Sequence, residues 1–273
     1  MKKRLLKAIS LGLAAVLCCG FLTGCGAGGT DDKTIRIGAS PSPHAEILEQ
    51  VKAAVEAKGY KLEIVEYNDY VLPNTAVQNG ELDANFFQHK PYLDDFNKNN
   101  NTDIVAVANI HFEPLGIYSS TITSLADIPS GAKIGVPNDS SNEARALLLL
   151  EANGFITLKK GAGINATIND IESNPLKLEI IEIEAAQLPR SLQDLSAAVI
   201  NGNYAISGGL KVSDALAVED SASVAAETYA NIIAVKDGNQ DSKKIKVLIE
   251  ALQSDAVKQY IEENYGGAVV PVF

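Results

Sequence analysis

Lys133-Ile134-Gly135-Val136, then Pro137-Asn138-Asp139-Ser140-Ser141-Asn142, the helical run Glu143 to Asn153 and Gly154 repeat, about a hundred residues on, a layout first met at Thr34 to Gly59. In the earlier copy Ile35 and Ile37 flank Arg36 as in a strand. Ile47, Leu48, Val51, Ala54 and Val55 then recur at helical spacing, and Gly59 stands where a helix stops. Two strand–loop–helix openings predict two α/β lobes; one large domain also fits the periodicity, and the echo favours two. Leu62 to Val65 and Ile104 to Ala108 read as further strands of the first half, Leu178 to Ile183 and Ala197 to Ile200 of the second. Their alternation with helical segments predicts mainly parallel sheets covered on both faces. A long amphipathic stretch from about Ser242 to Asn264, marked by Ile245, Leu248, Leu252, Val257 and Ile261, is expected to pack back on the first lobe. Such lobes place strand tips and helix starts around a shared cleft, where open α/β sheets bind ligands.

The start of the chain has a different character. Lys2, Lys3, Arg4 and Lys7 precede an uncharged, mostly apolar run from Ala8 to Leu22, then small residues and Cys25. The apolar part is about fifteen residues, shorter than the roughly 20 that span a bilayer, so an export signal is expected rather than a membrane helix. Leu22-Thr23-Gly24-Cys25 resembles the lipobox of bacterial lipoproteins, in which the cysteine becomes the lipid-modified, palmitate-bearing first residue of the mature chain. That implies a signal peptide at 1–24 and an anchor and tether at 25–32, placing the protein on the extracytoplasmic side of the cell membrane. Cys18, Cys19 and Cys25 are the only cysteines, so the body of the protein has no disulfide and no cysteine metal site. Loss of the four leading cations takes the net charge from -11 to -15, an acidity that argues against nucleic acid and against direct binding of anionic headgroups.

Two constellations could carry chemistry. Asn, Asp and Ser crowd the start of the helix after Pro137, where unpaired N–H groups favour an anion. Asn142 and Arg145, three apart, share a face, and the guanidinium fork of Arg145 suits a carboxylate. Near a positive helix end that arginine needs a compensating carboxylate, and an ordinary ion pair with a nearby Asp or Glu fits it as well as a ligand does. The second constellation, Asp83-Ala84-Asn85-Phe86-Phe87-Gln88-His89-Lys90-Pro91-Tyr92 with Tyr70 upstream, packs aromatics, an imidazole and a phenol into a strand-to-helix junction suited to a polarizable thioether. Adjacent strand residues face opposite sides, so only one of Phe86 and Phe87 can face the cleft. The three histidines, His44, His89 and His111, offer a metal receptor as a competing reading, but no pair stands at i and i+4. Nucleophile-elbow, zincin and P-loop motifs are absent, so no enzyme and no cofactor are expected. Gly161-Ala162-Gly163-Ile164-Asn165-Ala166 matches a dinucleotide fingerprint on paper, but Asn174-Pro175 cuts short the helix such a fingerprint needs, and a loop is expected.

The lipobox, Pro43-His44-Ala45-Glu46-Ile47-Leu48, Tyr70-Val71-Leu72-Pro73-Asn74, Asn85-Phe86-Phe87-Gln88-His89, the segment from Pro137 to Leu147, Asn201-Gly202-Asn203-Tyr204-Ala205 and Tyr229-Ala230-Asn231 together resemble the methionine-binding lipoproteins of the NlpA family. The resemblance spans nearly the whole chain. It implies a two-lobed type II periplasmic-binding-protein fold with two crossovers and a ligand cleft between the lobes, lobe 1 being 33–110 plus 222–273 and lobe 2 being 111–221. It further implies a monomeric receptor that hands L-methionine to the membrane permease of an ABC importer; a methionine-containing dipeptide or another amino acid is the alternative. Carried over, Arg145 grips the substrate carboxylate with Asn142 beside it. Asn203 and Asn231 hold the amino-acid head, and Tyr70, Phe87, His89, Tyr92 and His111 line the side-chain pocket. Departures lie near Ser196, where relatives usually place an acidic residue, and in Ile206 to Val212.

Overall fold

The computed structural model describes residues 33–222 and 224–273. The expected signal peptide, Cys25 and the tether lie outside them. Strand β1 (Thr34–Ala39) is followed by α1 (Glu46–Ala57), β2 (Lys61–Glu66), α2 (Leu72–Gln78), β3 (Ala84–His89), α3 (Lys90–Asn100) and β4 (Ile104–Phe112). The chain then crosses to β5 (Gly116–Tyr118), β6 (Lys133–Pro137), α4 (Ser140–Ala152), β7 (Thr157–Leu158) and β8 (Ile171–Ser173). It continues through β9 (Glu179–Ile183), α5 (Leu188–Ser191), β10 (Ala197–Ile200), α6 (Gly202–Ser207), β11 (Ala217–Val218) and α7 (Val224–Thr228). It returns with β12 (Asn231–Lys236), α8 (Lys243–Leu252), α9 (Asp255–Tyr265) and β13 (Val270–Pro271).

These elements make two sheets, ordered β13-β4-β12-β3-β1-β2 and β11-β5-β10-β6-β9, plus a small β7-β8 pair. The molecule is thus a two-lobed α/β fold. Both sheets are mixed, not mainly parallel: β1 runs parallel to β2 and β3, but β12 lies antiparallel to both β3 and β4. The cause is the return of the chain. Coming back from the second sheet, β12 enters the first in the opposite sense and slots between strands made much earlier. In the second sheet β6 is parallel to β9 and β10, while β5 is antiparallel to β10. β4 carries the first sheet to Phe112, so the first crossing falls at 113–115, slightly beyond the boundary expected after residue 110.

Burial explains the layers. Ile47, Leu48, Val51 and Val55 put one face of α1 against Ile35, Ile37 and Phe86 of the sheet, and α8 and α9 add Ile245, Leu248, Leu252, Val257 and Ile261 to the same cluster. α1 ends where Gly59 takes φ +84°, a left-handed turn open to glycine at no steric cost. The other face is covered by Val77, Leu82, Leu93 and Phe96. The second sheet is likewise sandwiched, by Ala144, Leu147 and Leu150 of α4 on one side and by Leu188, Leu192 and Leu195 on the other. The long C-terminal stretch is two helices, because the Ser254 hydroxyl caps α9 by accepting from the Val257 N–H. Segment 161–166 is a turn with one 3-10 turn at Gly163–Asn165, as a loop requires. Ser196 joins the turn before β10 to β6, its hydroxyl accepting from the Lys133 N–H.

Candidate functional site

The site forms where strand ends meet. Asn231, first residue of β12, is in register with His89 at the end of β3 and with His111 near the end of β4. Across the cleft, parallel β6 and β10 end side by side and deliver Asn142 and Arg145 on α4, and Asn201 and Asn203 at the start of α6. Between the two sets lies a small cavity. Tyr70, Phe87, His89, Tyr92, Asn142, Arg145, Asn203 and Asn231 all line it. His111 does not. It is fully buried behind Glu113, its Nε2 2.7 Å from Glu113 Oε1, and Glu113 faces the cavity in its place. Gln88, Glu113, Asn201 and Gly202 are lining residues that the sequence reading missed. A lone acid in the apolar run Ile110-His111-Phe112-Glu113-Pro114-Leu115 was the available signal for Glu113, and Asn201 shares a motif with Asn203.

One end of the cavity is aromatic. Tyr70 lies 5.7 Å from Phe87 and 5.6 Å from Tyr92 between ring centroids, and Tyr204 closes on it from the second lobe at 4.8 Å. Phe86 turns the other way, edge-on to His44 at 4.6 Å. The opposite end is polar. His89 caps α3, its Nδ1 accepting from the Tyr92 N–H, which leaves the proton on Nε2 to be donated to Asn142 Oδ1 at 3.0 Å. Asn142 Oδ1 also accepts from Asn201 Nδ2, and Asn142 Nδ2 donates to Asp139 Oδ1, so the amide is held from three sides. Asn201 Oδ1, which is buried, has no partner among the described residues. Tyr70 Oη donates to Asn203 Oδ1 at 2.6 Å across the cleft.

Arg145 sits in the second turn of α4, since the helix starts at Ser140 with Asp139 as its cap. It is 4% exposed and has the compensating carboxylate its position demands: Nε donates to Glu219 Oε1 at 2.8 Å and Nη2 to Glu219 Oε2. The ion-pair reading of Arg145 therefore holds, and the same side chain lines the cavity. Nη1 makes no hydrogen bond to a described residue. Glu113 is the cavity's anionic group. Burial pushes its carboxyl above the ordinary range, partly offset by His44, the Asn203 N–H and Arg145. Gly202 is required beside it: a Cβ there would stand 2.7 Å from Glu113 Cβ.

His44 and His111 converge on Glu113, the three offering ligand atoms within 4.8 Å of one another. His89 is not among them, so the three histidines do not assemble as a metal receptor would need. His44 Nε2 donates to Asn231 Oδ1 at 3.0 Å and stands 3.4 Å from Glu113 Oε1, while His111 Nε2 donates to Glu113 Oε1, so this group reads as two neutral imidazoles, one hydrogen-bonded to an amide and one to the carboxylate. Burial supports it, lowering His44 to about 4 and His111 to about 3. A tetrahedral zinc would hold its ligands roughly 3.3 Å apart, wider than the 2.7 Å contact between His111 and Glu113.

Two α/β lobes in contact over a cavity with a cation, an anion and an aromatic wall define a solute-binding protein. The profile of the NlpA lipoproteins matches residues 35–273, and the chain belongs to that family. It is 46% identical over 242 residues to the membrane lipoprotein TpN32 of Treponema pallidum, covering 88% of this chain and 89% of that one. It is 41% identical over 253 residues to the D-methionine-binding lipoprotein MetQ of Escherichia coli, covering 91% and 92%. A nutrient-binding protein of Burkholderia cenocepacia, solved bound to methionine, superposes with a TM-score of 0.84 at 46% identity, covering 88% of this chain and all of its own.

Proposed function

We propose that this chain captures L-methionine outside the cytoplasm and delivers it to the permease of an ABC importer, acting as a monomer held to the cell membrane by lipid on Cys25. The observation that carries this reading is the cavity itself: one guanidinium and one carboxylate at the polar end, and a wall of tyrosine and phenylalanine at the other. A zwitterionic head with a thioether tail matches that order of groups. The Escherichia coli relative named for D-methionine and the Burkholderia structure holding methionine support the ligand.

In this arrangement Arg145 meets the ligand carboxylate through Nη1. Glu113 and Asn201 Oδ1 accept from the ammonium, with Asn203 and Asn231 beside them. Tyr70, Phe87 and Tyr92 surround the thioether, and His89 holds Asn142 in place. The lobes hinge at 113–115 and 219–230, and closure is driven by better ligand contacts in the closed state, with no bond made and no cofactor. No helix among the described residues is long and apolar enough to cross a membrane.

The test is titration calorimetry on the full-length protein in detergent, unfolded and refolded to strip resident ligand, with L-methionine, D-methionine, glycyl-methionine and zinc as separate titrants. Tight L-methionine binding that Arg145→Ala abolishes is the expected result. Silence with methionine but heat with the dipeptide or zinc would overturn the ligand and keep the receptor.

A further inference from the structure

Arg145 is held from the side away from the cavity. Glu219 does not line the ligand cavity; it lines an outward depression on the far side of the guanidinium, with Val218 and Tyr229. Its carboxylate takes Nε and Nη2 together, and Oε2 also accepts the Leu115 N–H at 2.8 Å. Leu115 belongs to the first crossing between the lobes, and Glu219 opens the second. Their backbones are joined as well, the Glu219 N–H donating to Leu115 O at 3.0 Å. Nη2 of Arg145 completes the junction by donating to Glu113 O at 2.9 Å, while the Tyr229 ring lies 4.4 Å from the guanidinium carbon.

From this junction we infer that Glu219 is a positioning residue for ligand binding: it ties the ligand-facing arginine to both hinge crossings and fixes which edge of the guanidinium meets the ligand. A buried arginine without a fixed partner would rotate or draw in water, and its fork could then meet a carboxylate in several ways. With Nε and Nη2 committed, only the Nη1 edge is presented, in one orientation. Because the same carboxylate holds the Leu115 N–H, movement of the crossings relative to one another moves the arginine with them. Ligand grip and hinge geometry are thereby one mechanical unit.

The inference rests on methionine being the ligand, and the test separates the two. L-methionine is titrated calorimetrically into the full-length wild type, Glu219→Gln, Arg145→Lys and the double variant, with thermal melts of each. Glu219→Gln should weaken methionine binding about tenfold or more while still melting cooperatively, and should add little in the Arg145→Lys background, which keeps a cation for the ligand carboxylate, and so a measurable affinity, but loses the fork that Glu219 holds. That lack of additivity is the signature a merely structural role would not give. If Glu219→Gln fails to fold, Glu219→Asp, which keeps the charge but is one methylene shorter, should fold and show the weakened binding. Wild-type affinity in the folded variant overturns the inference alone, as does tighter binding, which would make Glu219 a competitor for the guanidinium. A wild type silent to methionine overturns both readings.

Discussion

Phe86 points into the first core and meets His44 and His111 edge-on, whereas its neighbour Phe87 faces the cavity. Truncating each should therefore read out differently. Phe86→Ala is expected to cost about 3–5 kcal/mol of stability in urea unfolding, the range for emptying a packed aromatic site. Phe87→Ala also empties a buried site and should lower stability too, but unlike Phe86→Ala it should weaken methionine binding roughly tenfold by calorimetry beyond what the melt implies. The histidines make a prediction of their own. Burial lowers His44 to about 4 and His89 and His111 to about 3, while the unfolded chain titrates near 6.5. The unfolded state thus takes up protons that the folded state refuses, so stability present above about pH 6.5 drains away as pH falls toward 4. Glu113 and Asp139 are shifted upward and act in the opposite sense, lending stability at low pH that is lost as pH rises, but hydrogen bonds to their ionised forms offset part of their burial. The melting temperature should drop between pH 6.5 and 4, and His44→Gln should show a shallower drop. An unchanged slope would remove His44 from the account.

At the scale of elements, α4 is the part that does most for the site, and its cap is the weak point. Asp139 Oδ1 accepts from both the backbone N–H and the side-chain amide of Asn142, so one carboxylate starts the helix and aims a lining residue. Asp139→Ala should cost about 1 kcal/mol of stability. It should also loosen methionine binding by more than the melt alone implies, measured as affinity against temperature-matched wild type. This element was legible in the sequence because its signals are local: a polar capping loop between an apolar strand and an apolar helical run. So was the aromatic junction of β3 and α3. Glu113 and Gln88 were hidden because their importance comes from partners distant in sequence, and His111 was put in the pocket by the family resemblance alone, which does not say that a carboxylate two residues later stands between it and the cleft. The insertion of β12 between β3 and β4 has no local signature at all. The break at Ser254 escaped because the apolar stripe runs on through both helices while one hydroxyl ends the hydrogen-bond ladder.

Across the whole molecule, the lobes touch through a few polar contacts at the cleft: Tyr70 to Asn203, His89 to Asn142, Ser140 to Asp95 at 2.7 Å and Tyr204 to the Asn68 carbonyl at 3.3 Å. The Tyr70–Tyr204 ring pair and Ile206, which packs against the first core, add apolar contact beside them. Tyr70→Phe removes one of these bonds while keeping the aromatic wall, so methionine should dissociate about two- to tenfold faster in stopped-flow measurements with little change in the melt. The returning strand has an effect on a different timescale. Since β12 separates β3 from β4, a chain emerging from the ribosome cannot close its first sheet until residues beyond 230 have been made, when most of the polypeptide already exists. Any earlier length leaves the inner edges of β3 and β4 without a neighbour, so the first sheet must wait for the returning strand, whereas the second, with all its strands between Gly116 and Val218, need not.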